Sequence, residues 1–241
     1  MFIKKLRRLV EEFREKHKKE ISLLRELDWA NTYHDSIRGK VWLETLPLNI
    51  GRWAGNYTFF YVLNRVLSDY KPNTILEFGL GESTKFISSY LENMLFQSKH
   101  LVIEHDDNWK ETFLKINKVS HRTKITIVPM REDVINNHII NCYEDLKSKI
   151  DLKYDLYVID GPFGSPNFSR FDIVNLMSDF NEKDEFIVIF DDYNRLGEKE
   201  TVNEIIDVLM NKNIKVFTAS YEGSKSTMII TTTKYKYLIT L

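Results

Sequence analysis

The sequence predicts an α/β fold whose parallel sheet ends in an antiparallel hairpin, and three observations carry that prediction. From Asn73 onward, short apolar runs with strand character alternate with amphipathic helical stretches, the pattern of βαβ units and a parallel sheet. The last two strand-like runs are joined only by a short turn around Gly223, and a parallel return needs a long crossover, so that pair must be antiparallel. Upstream of the alternation lies a charged amphipathic segment with a connector. The expected organisation is therefore a helical extension and connector over 1–52, followed by one α/β domain over 53–241.

Taken in order, residues 1–28 place Leu6, Val10, Phe13, Ile21, Leu24 and Leu27 at steps of three and four, with His17 on the same line. This is one stripe of an amphipathic helix. Nine Lys/Arg and five Glu are intermixed there, which favours packing on the body or on a second subunit, and hence a homo-oligomer through this helix. Membrane-surface attachment would need a more purely basic face. Residues 29–52, with Trp29, Trp42, Pro47, Gly51 and Arg52, read as an irregular connector, and 56–67 as a helix with Phe59, Val62, Leu63 and Val66 inward. Strands are then expected at 74–78, 100–104, 124–128, 154–160 and 185–191. Helices are expected at 83–95, 109–117, 139–149, 168–179 and 198–211. The chain closes with 214–219 and 227–233 as the final strands.

The 241 residues suffice for a core without disulfides or structural metal, and 43% hydrophobic with 29% charged residues is ordinary for a globular protein. Lys+Arg total 34 and Asp+Glu 35, which argues against bulk electrostatic binding of nucleic acid. A single cysteine, Cys142, excludes an intrachain disulfide. The first residues lack the apolar core of a secretory signal, and no run of about 20 apolar residues occurs, so the expected address is the cytoplasm with no membrane insertion.

Four of the five parallel strands deliver acids at or near their carboxyl ends: Glu77, Glu104, Asp160, and Asp191 with Asp192. That edge is where open α/β sheets bind ligands. The first strand runs into Gly79-Leu80-Gly81, which permits a tight turn and close backbone approach to a ligand; Ser83 is the expected N-cap of the next helix. The third glycine of G-x-G-x-x-G is replaced by Thr84, and no P-loop lysine follows. A pyrophosphate would want bare helix N-termini and cations. An acid at each of the first two strand ends instead suits S-adenosylmethionine (SAM), with Glu77 toward its cationic methionine portion. Glu104, 23 residues beyond Gly81, would lie toward the ribose hydroxyls.

The stretch 74–109, "TILEFGLGESTKF…LVIEHDDNW", resembles motifs I and II of class I SAM-dependent methyltransferases, and the resemblance extends over about 74–233. It implies a Rossmann-like sheet with the terminal hairpin of that fold. It also implies cofactor contacts from Glu77, Gly79, Gly81, Ser83 and Glu104, with His105 beside the last and Asp133, in the Arg131-Glu132-Asp133 loop, near the adenine. After the fourth parallel strand the chain reads Asp160-Gly161-Pro162-Phe163, one proline short of the N/D-P-P-Y/F motif of amino-methylating nucleic-acid enzymes. The closer resemblance is to metal-dependent O-methyltransferases of the catechol and macrocin (sugar) types, through Asp160 and the Asp191-Asp192-Tyr193 run. That implies Mg²⁺ on Asp160, Asp191 and Asp192, with Asp160 and Asp191 catalytic, and a sugar or other small-molecule hydroxyl as acceptor. Hydroxyls need such activation to become nucleophiles. Without a metal, Asp191 and Asp192 would cap the following helix. Arg52, Tyr57 and Arg195 are candidate acceptor contacts. Two other readings stay open: a non-catalytic SAM-fold binding or scaffold protein, and a Rossmann-type nucleotide-dependent oxidoreductase.

Overall fold

The computed structural model describes residues 2–51, 53–150 and 152–241; Arg52, named above as an acceptor contact, lies outside them. Helix α1 runs Phe2–Ile37, continuous through what reads in sequence as the start of a connector, and α2 follows at Val41–Glu44. The helical register persists because Trp29, Tyr33 and Ile37 continue an i, i+4 apolar line that packs on the body, and Tyr33 and Ile37 are buried. Helix α3 (Tyr57–Arg65) starts where the Asn56 side chain accepts from the Phe59 amide, an N-cap.

The alternation then follows: β1 (Thr74–Phe78), α4 (Glu82–Asn93), β2 (Lys99–Glu104), α5 (Asp107–Ile116) and β3 (Thr123–Ile127). Strands β4 (Met130–Ile135) and β5 (His138–Tyr143) form a separate hairpin, and β6 spans Leu156–Ile159. Helix α6 (Asp172–Met177), β7 (Ile187–Phe190), α7 (Leu196–Asn211), β8 (Val216–Glu222) and β9 (Ser226–Thr232) complete the chain's main elements. Two sequence expectations fail in this region. The helix expected at 139–149 is β5 and a short 3-10 turn, because Asn136-Asn137, both at positive φ (48° and 66°), form a two-residue hairpin turn that folds 138–143 back on 130–135. The Arg131-Glu132-Asp133 loop is accordingly part of β4. The helix expected at 168–179 shrinks to 172–177, since Phe168 and Arg170 take positive φ.

The main sheet has the order β3-β2-β1-β6-β7-β9-β8, parallel except that β9 runs antiparallel to both neighbours. Side chains alternate across it. Leu76, Phe78, Tyr157, Ile159, Val188 and Phe190 meet α6 and α7 on one face. Ile75, Val158, Ile187 and Ile189 meet α1, α3 and α4 on the other. Covered on both faces, β1, β6 and β7 are apolar after Thr74, which opens β1 half-buried, save for Glu77, so a polar group in their interior needs a dedicated reason.

Candidate active site at the carboxyl edge

The strand order reverses direction between β1 and β6, the switch point at which open α/β sheets leave a crevice. Two glycines set the spacing there. Gly79 sits at φ +96°, and a Cβ on Gly161 would lie 2.8 Å from the Gly79 nitrogen and 2.9 Å from its Cα. The turns after β1 and β6 thus touch backbone to backbone, and the Asp160-Gly161 sequence leaves no room for the proline of an N/D-P-P-Y/F motif. A Cβ on Gly81, by contrast, would meet nothing within 4 Å, so nothing in the protein's own packing requires glycine there.

Gly81, not Ser83, is the N-cap of α4. The turn after β1 ends two residues before Ser83, and Thr84 takes over the polar work. Its hydroxyl accepts from the Gly81 amide at 3.1 Å and donates to Glu77 Oε2 at 2.8 Å. Ser83 lies buried in the first turn. Glu77 is fully buried; His100 Nε2 approaches its Oε2 to 3.0 Å but off the hydrogen-bond line, and among the described residues Oε1 has no hydrogen-bond donor. A buried carboxylate oxygen without a donor is costly.

Glu104, at the end of β2, ties the neighbouring loops together. Its Oε2 accepts from the Leu80 amide at 2.9 Å, and its Oε1 accepts from the amides of His105 (2.6 Å) and Asp106 (2.9 Å), with His105 Nδ1 at 2.8 Å. The Glu104 carboxylate therefore positions the G-x-G turn directly. Trp109 adds a second tie, its indole N–H donating to the Leu80 carbonyl at 2.8 Å. The His105 ring meets Phe163 edge-on, centroids 4.7 Å apart, joining the loop after β2 to the loop after β6 over β1. Asp133 sits in the β4–β5 hairpin, paired with Arg131 at 2.7 Å; its carboxyl is held below the usual range, first by the Val134 amide and then by Arg131. Among the described residues no hydrogen bond or ion pair joins it to Glu104 or the G-x-G turn. Tyr57 packs between Tyr33 and His34, at 5.7 and 5.6 Å, beneath α1.

Beyond β6 and β7 the carboxylates converge. One oxygen from each of Asp160, Asp191 and Asp192 lies within 4.8 Å of the others. Asp191 is fully buried and neither of its oxygens accepts a well-aligned hydrogen bond among the described residues, although the Asp192 amide lies near its carboxylate and Lys225 Nζ stands 3.6 Å from Oδ2. Arg170, itself 4% exposed, bridges Asp160 and Asp192 at 3.2 Å each and donates to the Asp191 carbonyl at 3.1 Å. Arg195 and Lys225 reach Asp192 at 3.0 and 3.3 Å. Glu198, buried, lies 3.7 Å from Arg195 and 4.0 Å from Arg170. Four carboxylates thus face three cations. Burial first, then the Asp191 charge, push the Asp160 carboxyl up to about 7 against the pull of Arg170. Burial raises Asp191 too, opposed by Lys225. Asp191 and Asp192 do not cap α7: its N-cap is Arg195, with no side-chain cap bond.

Thr84 stands out in the sequence only as the replacement of a glycine, and His100, Arg170, Glu198 and Lys225 carry no assigned role there. The one local signal is Arg170 set between Phe168 and Phe171; Lys225 reaches the cluster only because the β8–β9 turn folds over it. That turn is fixed from α1, where Glu26 accepts from the Ser224 amide at 2.6 Å and from Asn56 at 2.8 Å.

No family model and no curated protein sequence matches the chain. Its fold is that of class I methyltransferases. It superposes on an O-methyltransferase from Bacillus cereus, solved with S-adenosylhomocysteine (SAH), with a TM-score of 0.53 and 11% identity, over 89% of this chain and 99% of that one. A candidate O-methyltransferase from Klebsiella pneumoniae gives 0.50 at 16% identity over 86% and 89%. At these identities the likeness is one of fold. Among the described residues no helix is long and apolar enough to cross a membrane.

Proposed function

We propose that this chain is a SAM-dependent methyltransferase acting on a hydroxyl oxygen of a sugar or other small molecule, with 1–52 as an accessory extension to a catalytic domain over 53–241. The observation that supports it is the meeting, at one switch point, of a glycine turn held by Glu104 and a carboxylate cluster with buried, undonated oxygens. Glu104 and His105 would face the ribose, Gly79 and Gly81 would let backbone approach, and Glu77 with Ser83 would lie under the methionine portion. Asp133 would join the adenine side only if the β4–β5 hairpin swings inward.

The cluster fits a hard divalent cation: its donors are carboxylate oxygens, Asp191 is unsatisfied, and one negative charge is left unmatched by Arg170, Arg195 and Lys225. Asp160, Asp191 and Asp192 would hold Mg²⁺, which would favour the alkoxide of a bound acceptor. The chain's own part is to orient. Asp160, its side chain 23% exposed, is the member open to solvent and the one placed to receive the hydroxyl proton. Arg170 keeps Asp160 and Asp192 at fixed spacing. A second reading follows from Lys225, whose ammonium stands 3.3 to 3.6 Å from Asp192 and Asp191: the cation is then built in, and Asp160 acts as base without metal.

Two measurements test these readings. Thermal melting with SAM, SAH, NAD and NADP should rise for the first pair alone; a rise with NAD or NADP only would replace the proposal by an oxidoreductase. Mn²⁺ titration followed by electron paramagnetic resonance should show one bound ion that Asp191→Asn abolishes. No bound Mn²⁺ in the unaltered protein would leave the metal-free base.

A further inference from the structure

The apolar stripe of α1 has no partner in this chain. Every described side chain from residue 4 to 21 is exposed, so about 27 Å of helix, at 1.5 Å per residue, stands clear of the body. The body is gripped further along by one face. Ser22 donates to the Gly223 carbonyl at 3.2 Å, Arg25 pairs with Glu222 at 2.5 Å, Glu26 holds the Ser224 amide, and the Trp29 indole donates to the Glu222 carbonyl at 3.0 Å. At 100° per residue, Leu6, Phe13, Leu24 and Leu27 lie on the opposite side, with Val10 at the edge of the same stripe. Phe13 is 72% exposed, Leu24 65% and Leu27 60%. The stripe therefore runs past the docked stretch without turning toward it, and a free helix of this length is marginal in water unless its apolar face is covered.

We infer that α1 pairs with α1 of a second copy of this chain, antiparallel, in the register that sets Val10 against the partner's Leu27. The polar residues on the stripe select that arrangement. His17 and Glu20 lie on it, and within one helix they are 3.9 Å apart. In the antiparallel register Phe13 meets the partner's Leu24 and His17 meets the partner's Glu20, twice over by symmetry. A parallel pair would instead set Glu20 on Glu20 and His17 on His17, and a single mismatched polar layer is enough to decide register in a helix pair. A lipid surface would press the Glu20 carboxylate into the apolar boundary, which is costly. The antiparallel pair also places the two bodies at opposite ends, each on the outer side of its helix. The inference is independent of the methyltransferase reading.

Sedimentation equilibrium of the full chain tests it. The expected mass is twice 28.6 kDa, and Phe13→Asp, which alters a side chain 72% exposed, should give the single-chain mass while the body still melts cooperatively, at a temperature that no longer depends on protein concentration. Oxidising a mixture of Val10→Cys and Leu27→Cys chains should cross-link the two to each other, and neither variant alone. A monomer at micromolar concentration overturns the inference, as does cross-linking of Val10→Cys with itself, which reports a parallel pair. Flotation of the unaltered chain with phosphatidylglycerol vesicles, lost in Phe13→Asp, would assign the stripe to a lipid surface instead.

Discussion

Glu104 is the residue whose replacement separates the ligand from the turn that binds it. Glu104→Ala removes the acceptor of three amides, of which Leu80 is the most buried, 6% exposed. Hydrogen bonds to a charged acceptor contribute about 1.5–3 kcal/mol, and an orphaned buried donor costs about 1–3 kcal/mol. Counting Leu80 in full and the two outer amides in part, the loss of folding stability should be about 2–4 kcal/mol. If the carboxylate also meets the ribose, the affinity for SAM and SAH should fall by a further 1–3 kcal/mol, about 5- to 150-fold in Kd. Glu104→Gln keeps one oxygen for the Leu80 amide while removing the charge, so it should hold the turn and still lose affinity. Urea melts give the first quantity and titration calorimetry of both variants the second. Unchanged Kd in a folded Glu104→Ala protein would refute the ribose role and leave Glu104 as a strut of the turn.

Gly161→Ala should be poorly tolerated, by about 1–3 kcal/mol or more, because its Cβ would meet the Gly79 nitrogen at 2.8 Å and backbone cannot swing aside; a melting temperature equal to the parent's would show that the two turns separate freely. Stability should also fall between about pH 4 and pH 7. Burial pushes the Asp172 carboxyl from 3.8 up to about 7, against the Tyr143 amide it accepts from at 3.2 Å. The folded state therefore keeps a proton that the unfolded state releases; the advantage is full below the unfolded value and gone above 7. Three units set an upper bound of about 4 kcal/mol, and Asp172→Asn should flatten that part of the urea-midpoint profile.

The sheet, its βαβ order, the terminal antiparallel pairing and the acids at the strand ends were all legible in the sequence. They rest on local causes: periodicity, glycine placement, and a linker too short for a crossover. The G-x-G turn and Glu104 were legible for the same reason, being fixed within one βαβ unit. The β4–β5 hairpin is not legible from its apolar run, which fits a helix face as well as a strand; only Asn136-Asn137 marks the turn. What surrounds the carboxylates was not legible at all. Arg170, Glu198 and Lys225 come from three different elements, separated by 28 residues and then by 27, and no local rule brings them together. Whether Asp160, Asp191 and Asp192 are solvated, paired or short of a partner is decided by what folds over them, because the electrostatic energy of a carboxylate depends on its neighbours within a few ångströms. The α1 stripe makes the same point in reverse. Its periodicity was plain in sequence, but only the packed structure shows that it points away from the body.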